Sequence, residues 1–182
     1  MQVEPTGIEG LFIITPNVYE DERGAFYESF NHRKFLSSNL NFEFVQDNIS
    51  VSSYGVIRGM HFQAGDFAQA KLVHVINGSV LDIALDLRAN SSTYGKHFSI
   101  ELSSINKKQL LIPRGFAHGF SVLSETATFY YKCDNFYSKE NERGITPKDN
   151  YLNFDWKIDV KSQVISERDL LFPTFNSYKQ AL

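Results

Sequence analysis

Alternation dominates this chain. Leu81, Ile83, Leu85 and Leu87 alternate with Asp82 and Asp86, and Phe98, Ile100 and Leu102 alternate with Ser99 and Glu101. That period of two marks strands half-buried against a core, with the aspartates on the polar side. Apolar or aromatic-rich runs at 11–15, 25–30, 44–50, 56–63, 71–76, 110–112, 116–123 and 126–132 predict further strands. Pro16, Asp21-Glu22-Arg23-Gly24, Tyr54-Gly55, Asn77-Gly78 and Pro113-Arg114-Gly115 punctuate them, Asn77-Gly78 as a hairpin turn.

Helical signals are few. Asn31 caps a short helix reaching about residue 38, and Ser166-Glu167-Arg168-Asp169 opens a short terminal one. Residues 134–165 read as polar and irregular. Short strands at roughly ten-residue intervals argue for an all-β sandwich or barrel over βαβ units. A jelly-roll barrel with short peripheral helices is favoured, because its mouth offers a site for a small ligand.

Composition narrows the class. The 182 residues suffice for one domain spanning 1–182 with a sizeable core, and 16 phenylalanines and 9 tyrosines suit strands and stacking. A net charge of −3 with interspersed signs gives no nucleic-acid surface, although a local basic pocket for a small anion fits. The lone Cys133 excludes an intrachain disulfide and suits a reducing compartment. No signal peptide is visible, and no apolar run approaches the roughly 18 residues of a spanning helix. A soluble cytoplasmic protein without membrane partners is expected.

Chemistry concentrates in Gly55-Val56-Ile57-Arg58-Gly59-Met60-His61-Phe62-Gln63. His61 reads either as a core imidazole bonded to a carbonyl or as a general base, since imidazole titrates nearest neutral pH. In a regular strand His61 and Gln63 share a face and Arg58 lies on the other, so Arg58 reaches the same pocket only through a bulge at Gly59. Asp169 reads as a helix-start carboxylate, or as the partner that fixes the tautomer of His61. Lys71 either reaches solvent from a strand end or stabilises an oxyanion inside a barrel. Of Tyr130 and Tyr131, parity with Phe129 puts Tyr131 inward, where its hydroxyl can serve as an acid. His118, in a tight turn entering a strand, reads as locally bonded.

Metal ligands are short. His61, His118 and Gln63 supply two good nitrogen donors and one poor amide; there is no His-x-His pair and no Glu soon after His61. No phosphate-cradling glycine loop, serine elbow or Cys-His pair stands out. Neither a metal nor another cofactor is expected.

Taken together, the segments carry a family resemblance. They are Asp21-Glu22-Arg23-Gly24-Ala25-Phe26-Tyr27-Glu28, Phe44-Val45-Gln46-Asp47-Asn48, the 55–63 stretch, Gln69-Ala70-Lys71-Leu72, Asp86-Leu87-Arg88, residues 112–120, Tyr131-Lys132-Cys133, Glu142-Arg143-Gly144 and Ser166-Glu167-Arg168-Asp169. In this order the chain resembles the dTDP-4-dehydrorhamnose 3,5-epimerases over nearly its whole length. The resemblance implies a metal-free cupin-type jelly roll, a homodimer with an exchanged N-terminal strand, and a nucleotide-linked 4-keto-6-deoxyhexose as substrate. It implies His61 as base, Asp169 as its orienting partner, Tyr131 as acid and Lys71 near the keto oxygen. By the same motif positions Arg23, Glu28, Gln46, Asp47, Asn48, Arg58, His118, Glu142 and Arg168 bind substrate, and Tyr137 stacks on the base. Met60 and Arg168 are mild departures from the pattern; Cys133-Asp134-Asn135-Phe136-Tyr137 is a larger one, near the nucleotide.

Overall fold

The computed structural model describes residues 1–180. In chain order the elements are β1 (Gln2–Pro5), β2 (Phe12–Thr15), the hairpin β3 (Val18–Asp21) and β4 (Gly24–Tyr27), helix α1 (His32–Ser37), β5 (Gln46–Ser53), β6 (Val56–Gln63), β7 (Lys71–Asn77) and β8 (Ser79–Asp86). There follow β9 (His97–Ser103), β10 (Gln109–Ile112), β11 (Phe116–Val122), β12 (Thr126–Cys133), β13 (Glu142–Gly144), β14 (Val164–Ile165), α2 (Glu167–Leu170) and α3 (Phe175–Gln180). One sheet runs β1-β2-β10-β7-β12-β5; the facing sheet runs β13-β6-β11-β8-β9, with β14 added to β6. Two sheets, antiparallel except where β14 joins β6 in parallel, close face to face as the expected cupin-type jelly roll.

Alternation decides what each sheet face meets. Val73, Val75, Val80, Ala84, Phe116, Phe120 and Phe129 meet between the sheets as the barrel core. On the outer side of the second sheet, Ile57, Met60, Ile83 and Leu85 pack under Leu152, Phe154 and Trp156. Residues 134–165 are therefore irregular in backbone but not simply polar. Leu152, Phe154, Trp156 and Ile158 keep a strand-like spacing, while positive φ at Asn153 and Lys157 breaks the strand itself. Trp156 Nε1 donates to the Pro147 carbonyl at 2.9 Å, and the Trp156 carbonyl accepts from Ser121 Oγ at 2.7 Å. Removing such a ring costs about 3–5 kcal/mol.

Helix α1 forms as expected, Asn31 Oδ1 accepting from the Lys34 N–H at 3.2 Å. Ser166 caps α2, but α2 is one turn long, and a separate α3 follows Pro173. Asp82 and Asp86 correct the expected polar side of β8: both are fully buried, because each side of that strand faces a core.

Near the N-terminus, β1 pairs with β2 of its own chain, Val3 opposite Ile14. The β3–β4 hairpin is different: it forms a sheet of its own, with Tyr19 64% and Phe26 70% exposed.

Candidate active site

Strand β6 carries the feature that makes the site. His61 pairs with His118 of β11 and Arg58 pairs with Phe120, so Gly59 and Met60 on one strand face Gly119 alone on the other. This is the bulge that Arg58 required, and it brings Arg58 and His61 to one side. Gly59 permits it twice over. Its φ is +133°, and a Cβ there would lie 2.5 Å from the Gly119 Cα.

Asp169 locks into the same irregularity. On its outer edge β6 pairs with β14 at residues 56–57 and with β13 at 61–63. Between them the Gly59 N–H finds Asp169 Oδ2 at 3.3 Å, and Asp169 Oδ1 sits 2.8 Å from His61 Nε2. The Asp169 N–H donates to Ser166 Oγ at 3.1 Å, so the cap that opens α2 also aims the carboxylate. Asp169 is thus both the helix-start residue and the histidine's partner. Burial pushes its carboxyl up, but the hydrogen bond and charge of His61, with the Gly59 and Ser166 donors, hold it below its ordinary value. An imidazole that gives its Nε2–H to a carboxylate keeps a lone pair on Nδ1 for proton abstraction. Phe172, edge-on at 5.5 Å, packs against the ring.

Around His61 opens a cavity of about 220 Å³, lined also by Lys71, Tyr131, Gln46, Asn48, Tyr137 and Glu142. A wider recess of about 510 Å³ shares His61 and is lined by Arg58, Arg168 and Asp169. Parity holds for the tyrosines: Tyr131 lines the cavity, while Tyr130 packs at a tilt against His74, 4.9 Å between ring centres, on the other face. Burial pushes the Tyr131 hydroxyl up to about 12, so it is protonated at neutral pH. The Lys71 ammonium lies 5.9 Å from the Tyr131 ring and has no salt-bridge partner among the described residues. Burial draws its pKa down, opposed by the acidic groups of Cys133, Asp82 and Glu142.

The remaining residues divide between the mouth and the buried interior. At the mouth, Tyr137 Oη donates to Glu142 Oε2 at 2.8 Å, Glu142 Oε1 ion-pairs with Arg168, and Gln46 Oε1 accepts from the Tyr137 N–H at 3.0 Å. Gln46 also donates to Asn48 Oδ1 at 3.1 Å, and Arg58 Nε donates to Ser52 Oγ at 3.1 Å. Deeper in, His118 Nε2 meets Asp82 Oδ2 at 2.8 Å and its ring stacks on Phe129.

Three expected binding residues lie elsewhere in this chain. The Asp47 side chain points out of β5, away from Gln46 and Asn48, and pairs with Lys132 at 2.8 Å. Arg23 sits in the exposed hairpin with Asp21, and Glu28 pairs with Lys34 at 2.8 Å. Sequence reasoning missed Asp82, whose only signal was a charged residue in a strand that proves buried on both sides. Among the described residues no three His, Cys, Asp or Glu side chains gather as a metal site, and no helix is long and apolar enough to cross a membrane.

A jelly roll that holds a carboxylate-backed imidazole, a protonated phenol and an ammonium around one cavity is an enzyme built for proton transfer. Residues 5–177 match the family described as dTDP-4-dehydrorhamnose 3,5-epimerase. The Shigella flexneri enzyme of that description is 48% identical over 171 residues, 93% of each chain. Among solved structures, the Elizabethkingia anophelis dTDP-4-dehydrorhamnose 3,5-epimerase superposes with a TM-score of 0.93 at 54% identity, covering 97% of both chains. A Legionella pneumophila 3,5-epimerase in complex with dTDP-4-keto-L-rhamnose gives 0.92 at 43% identity, over 96% of this chain and 93% of that one. The chain belongs to the dTDP-4-dehydrorhamnose 3,5-epimerase family.

Proposed function

We propose that this protein inverts C3 and C5 of dTDP-4-dehydro-6-deoxy-D-glucose, giving dTDP-4-dehydro-L-rhamnose on the route to dTDP-L-rhamnose. The observation that carries the mechanism is the 2.8 Å bond between Asp169 and His61 at a cavity shared with Lys71 and Tyr131. His61 Nδ1 takes the proton from the carbon beside the ketone, and the C–H electron pair moves into an enolate. Lys71 stabilises the enolate oxygen, and the Tyr131 hydroxyl returns a proton to the opposite face. The phenolate and the imidazolium then reset by proton exchange, and the same cycle serves the second carbon. No electron is gained or lost, so no nicotinamide enters. A positioned acid or base contributes roughly 10²–10⁴-fold, and an oxyanion donor roughly 10²–10³-fold. Arg58 and Arg168 suit the diphosphate, because guanidinium matches phosphate oxygens as a fork.

Arg23 and Glu28 complete the site from a second copy in this reading. Their support is the exposed hairpin, which carries Tyr19 and Phe26 out into solvent and makes no sheet contact with its own barrel. Exchange in the resulting homodimer would then involve this hairpin, since β1 is already paired at home. Cytoplasmic residence is supported by the single, buried, reduced Cys133.

Turnover in deuterated water tests the chemistry. Label at both C3 and C5 is the expected result; label at one carbon alone would replace this reading with a single-carbon epimerase on a related 4-keto-6-deoxy sugar. Mixing the inactive His61→Asn and Arg23→Ala variants tests the shared site. Mixed dimers regain activity if one copy supplies the base and the other the arginine; additive inactivity of the mixture would sink it.

A further inference from the structure

We infer that Gln63 and Gln69 are positioning residues for the nucleotide end of the substrate: from inside the cavity they hold the rim, residues 135–138, that carries Tyr137. Tyr137 is taken here as the residue that stacks on the base, the role its motif position implies. Gln63 closes the stretch that holds Arg58 and His61, and nothing in the proton transfer uses it.

The rim needs partners because it has left both sheets. β12 ends at Cys133, β13 begins at Glu142, and residues 135–138 lie in neither helix nor strand. Backbone groups in such a segment must be met by side chains or water. Three of them are met by glutamines. The Asn135 carbonyl accepts from Gln69 Nε2 at 2.8 Å, the Tyr137 N–H donates to Gln46 Oε1 at 3.0 Å, and the Ser138 N–H donates to Gln63 Oε1 at 3.2 Å. These side chains come from β5, β6 and the segment before β7, and all of them line the 220 Å³ cavity. Asn135 extends the tie outward. Its Nδ2 donates to the Asp66 carbonyl at 2.9 Å, and its Oδ1 accepts from the Phe136 N–H at 2.9 Å.

Together these bonds decide where one ring stands. Tyr137 is half exposed, and its hydroxyl donates to Glu142 Oε2 at 2.8 Å. Its own N–H, the N–H after it and the carbonyl two residues before it are each fixed to the cavity wall. Gln63 is 6% exposed, and its side chain makes no other hydrogen bond among the described residues; the same is true of the Gln69 side chain. Neither amide is spent on its own strand or turn. A platform that is already ordered binds a flat ring more tightly than one the ligand must immobilise. β6 therefore carries the base, His61, and two residues on the tie that sets its distance from Tyr137.

Gln63→Met and Gln69→Met test this, since each keeps the length of the side chain and removes the bond. The probe is dTDP alone, its affinity for the protein measured by calorimetry. Each variant is expected to bind dTDP about fivefold more weakly, the fold-change that one hydrogen bond supplies. With the 4-keto sugar nucleotide, KM should rise by a similar factor while kcat stays within about twofold. The decisive comparison is a Tyr137→Ala background, where neither substitution should weaken dTDP further, because both act through that ring. Additive weakening there, or unchanged affinity in either folded variant with Tyr137 present, overturns the proposal. Should Gln63→Met fail to fold, Gln69→Met carries the same readouts. Unchanged dTDP affinity in Tyr137→Ala itself removes the stacking role and the proposal with it. Binding of dTDP needs no turnover, so a missing C3 or C5 label rejects only the epimerase reading.

Discussion

The two faces of one sheet use the same residue types to opposite ends. Lys132 and Lys71 lie on neighbouring strands, and Tyr130 and Tyr131 are consecutive. On the outer face Lys132 pairs with Asp47 at 2.8 Å, and Tyr130 packs at a tilt against His74. Burial draws the Lys132 pKa down, but its bonds to Asp47 and Tyr130 outweigh that and raise it overall. Across the sheet Lys71 and Tyr131 have no such partners, and burial moves each toward its neutral form. For the lysines and tyrosines, residue type therefore does not separate the two faces; the presence of a local partner does.

The largest expected effect is at His61. His61→Ala should cut turnover by about 10³–10⁴-fold and abolish deuterium entry at both carbons, measured by NMR. Asp169→Asn should follow it closely, since it removes the charge that stabilises the imidazolium. Retained exchange in His61→Ala would move the base elsewhere. Next in size comes the tyrosine pair. Tyr131→Phe should lower epimer formation about 10²-fold or more while deuterium still enters the substrate, because the base survives and the acid does not. Tyr130→Phe, one residue away on the other face, should stay within about twofold. Equal losses in the two variants would erase the contrast between the faces. The lysines give the third comparison: Lys71→Met should cost about 10²-fold in kcat, and Lys132→Met should leave kcat nearly intact.

Much of this was legible in the chain, and the exceptions have physical causes. Period-two alternation and the Asn77-Gly78 turn placed β7, β8, β9, β11 and β12 within a residue or two. The Arg58-Gly59-Met60-His61 run announced its own bulge, because no regular strand puts Arg58 and His61 on one side. Asp82 misled because alternation reports a polar position, not which side meets solvent, and β8 has no solvent side. Leu152-Asn153-Phe154-Asp155-Trp156 escaped notice because a core can be built by irregular backbone that keeps only the spacing. Asp47 was assigned by motif position, whereas its facing follows from the parity of β5 with Gln46 and Asn48. Arg23 and Glu28 were assigned by motif position, and in this chain their charges meet local partners instead, Asp21 and Lys34.

The smallest effect tests the outer face through His74. Burial, and then the nearby Lys132 charge, push this imidazole from 6.5 down to about 4. In the unfolded chain it protonates near its ordinary value, so between these limits the unfolded state holds more protons than the folded one. Unfolding free energy must then fall as pH drops from 6.5 towards 4, and the His74 contribution is fully present only above that window. The loss is about 3.5 kcal/mol at most, each pKa unit being worth about 1.4 kcal/mol. His74→Gln, which cannot titrate, should flatten this part of the stability curve in denaturant melts run across the window. It should leave the pH dependence of kcat untouched, because the imidazole stands on the wrong side of the sheet to meet substrate. A His74→Gln enzyme with the wild-type stability slope but an altered rate profile would invert the division between the two faces.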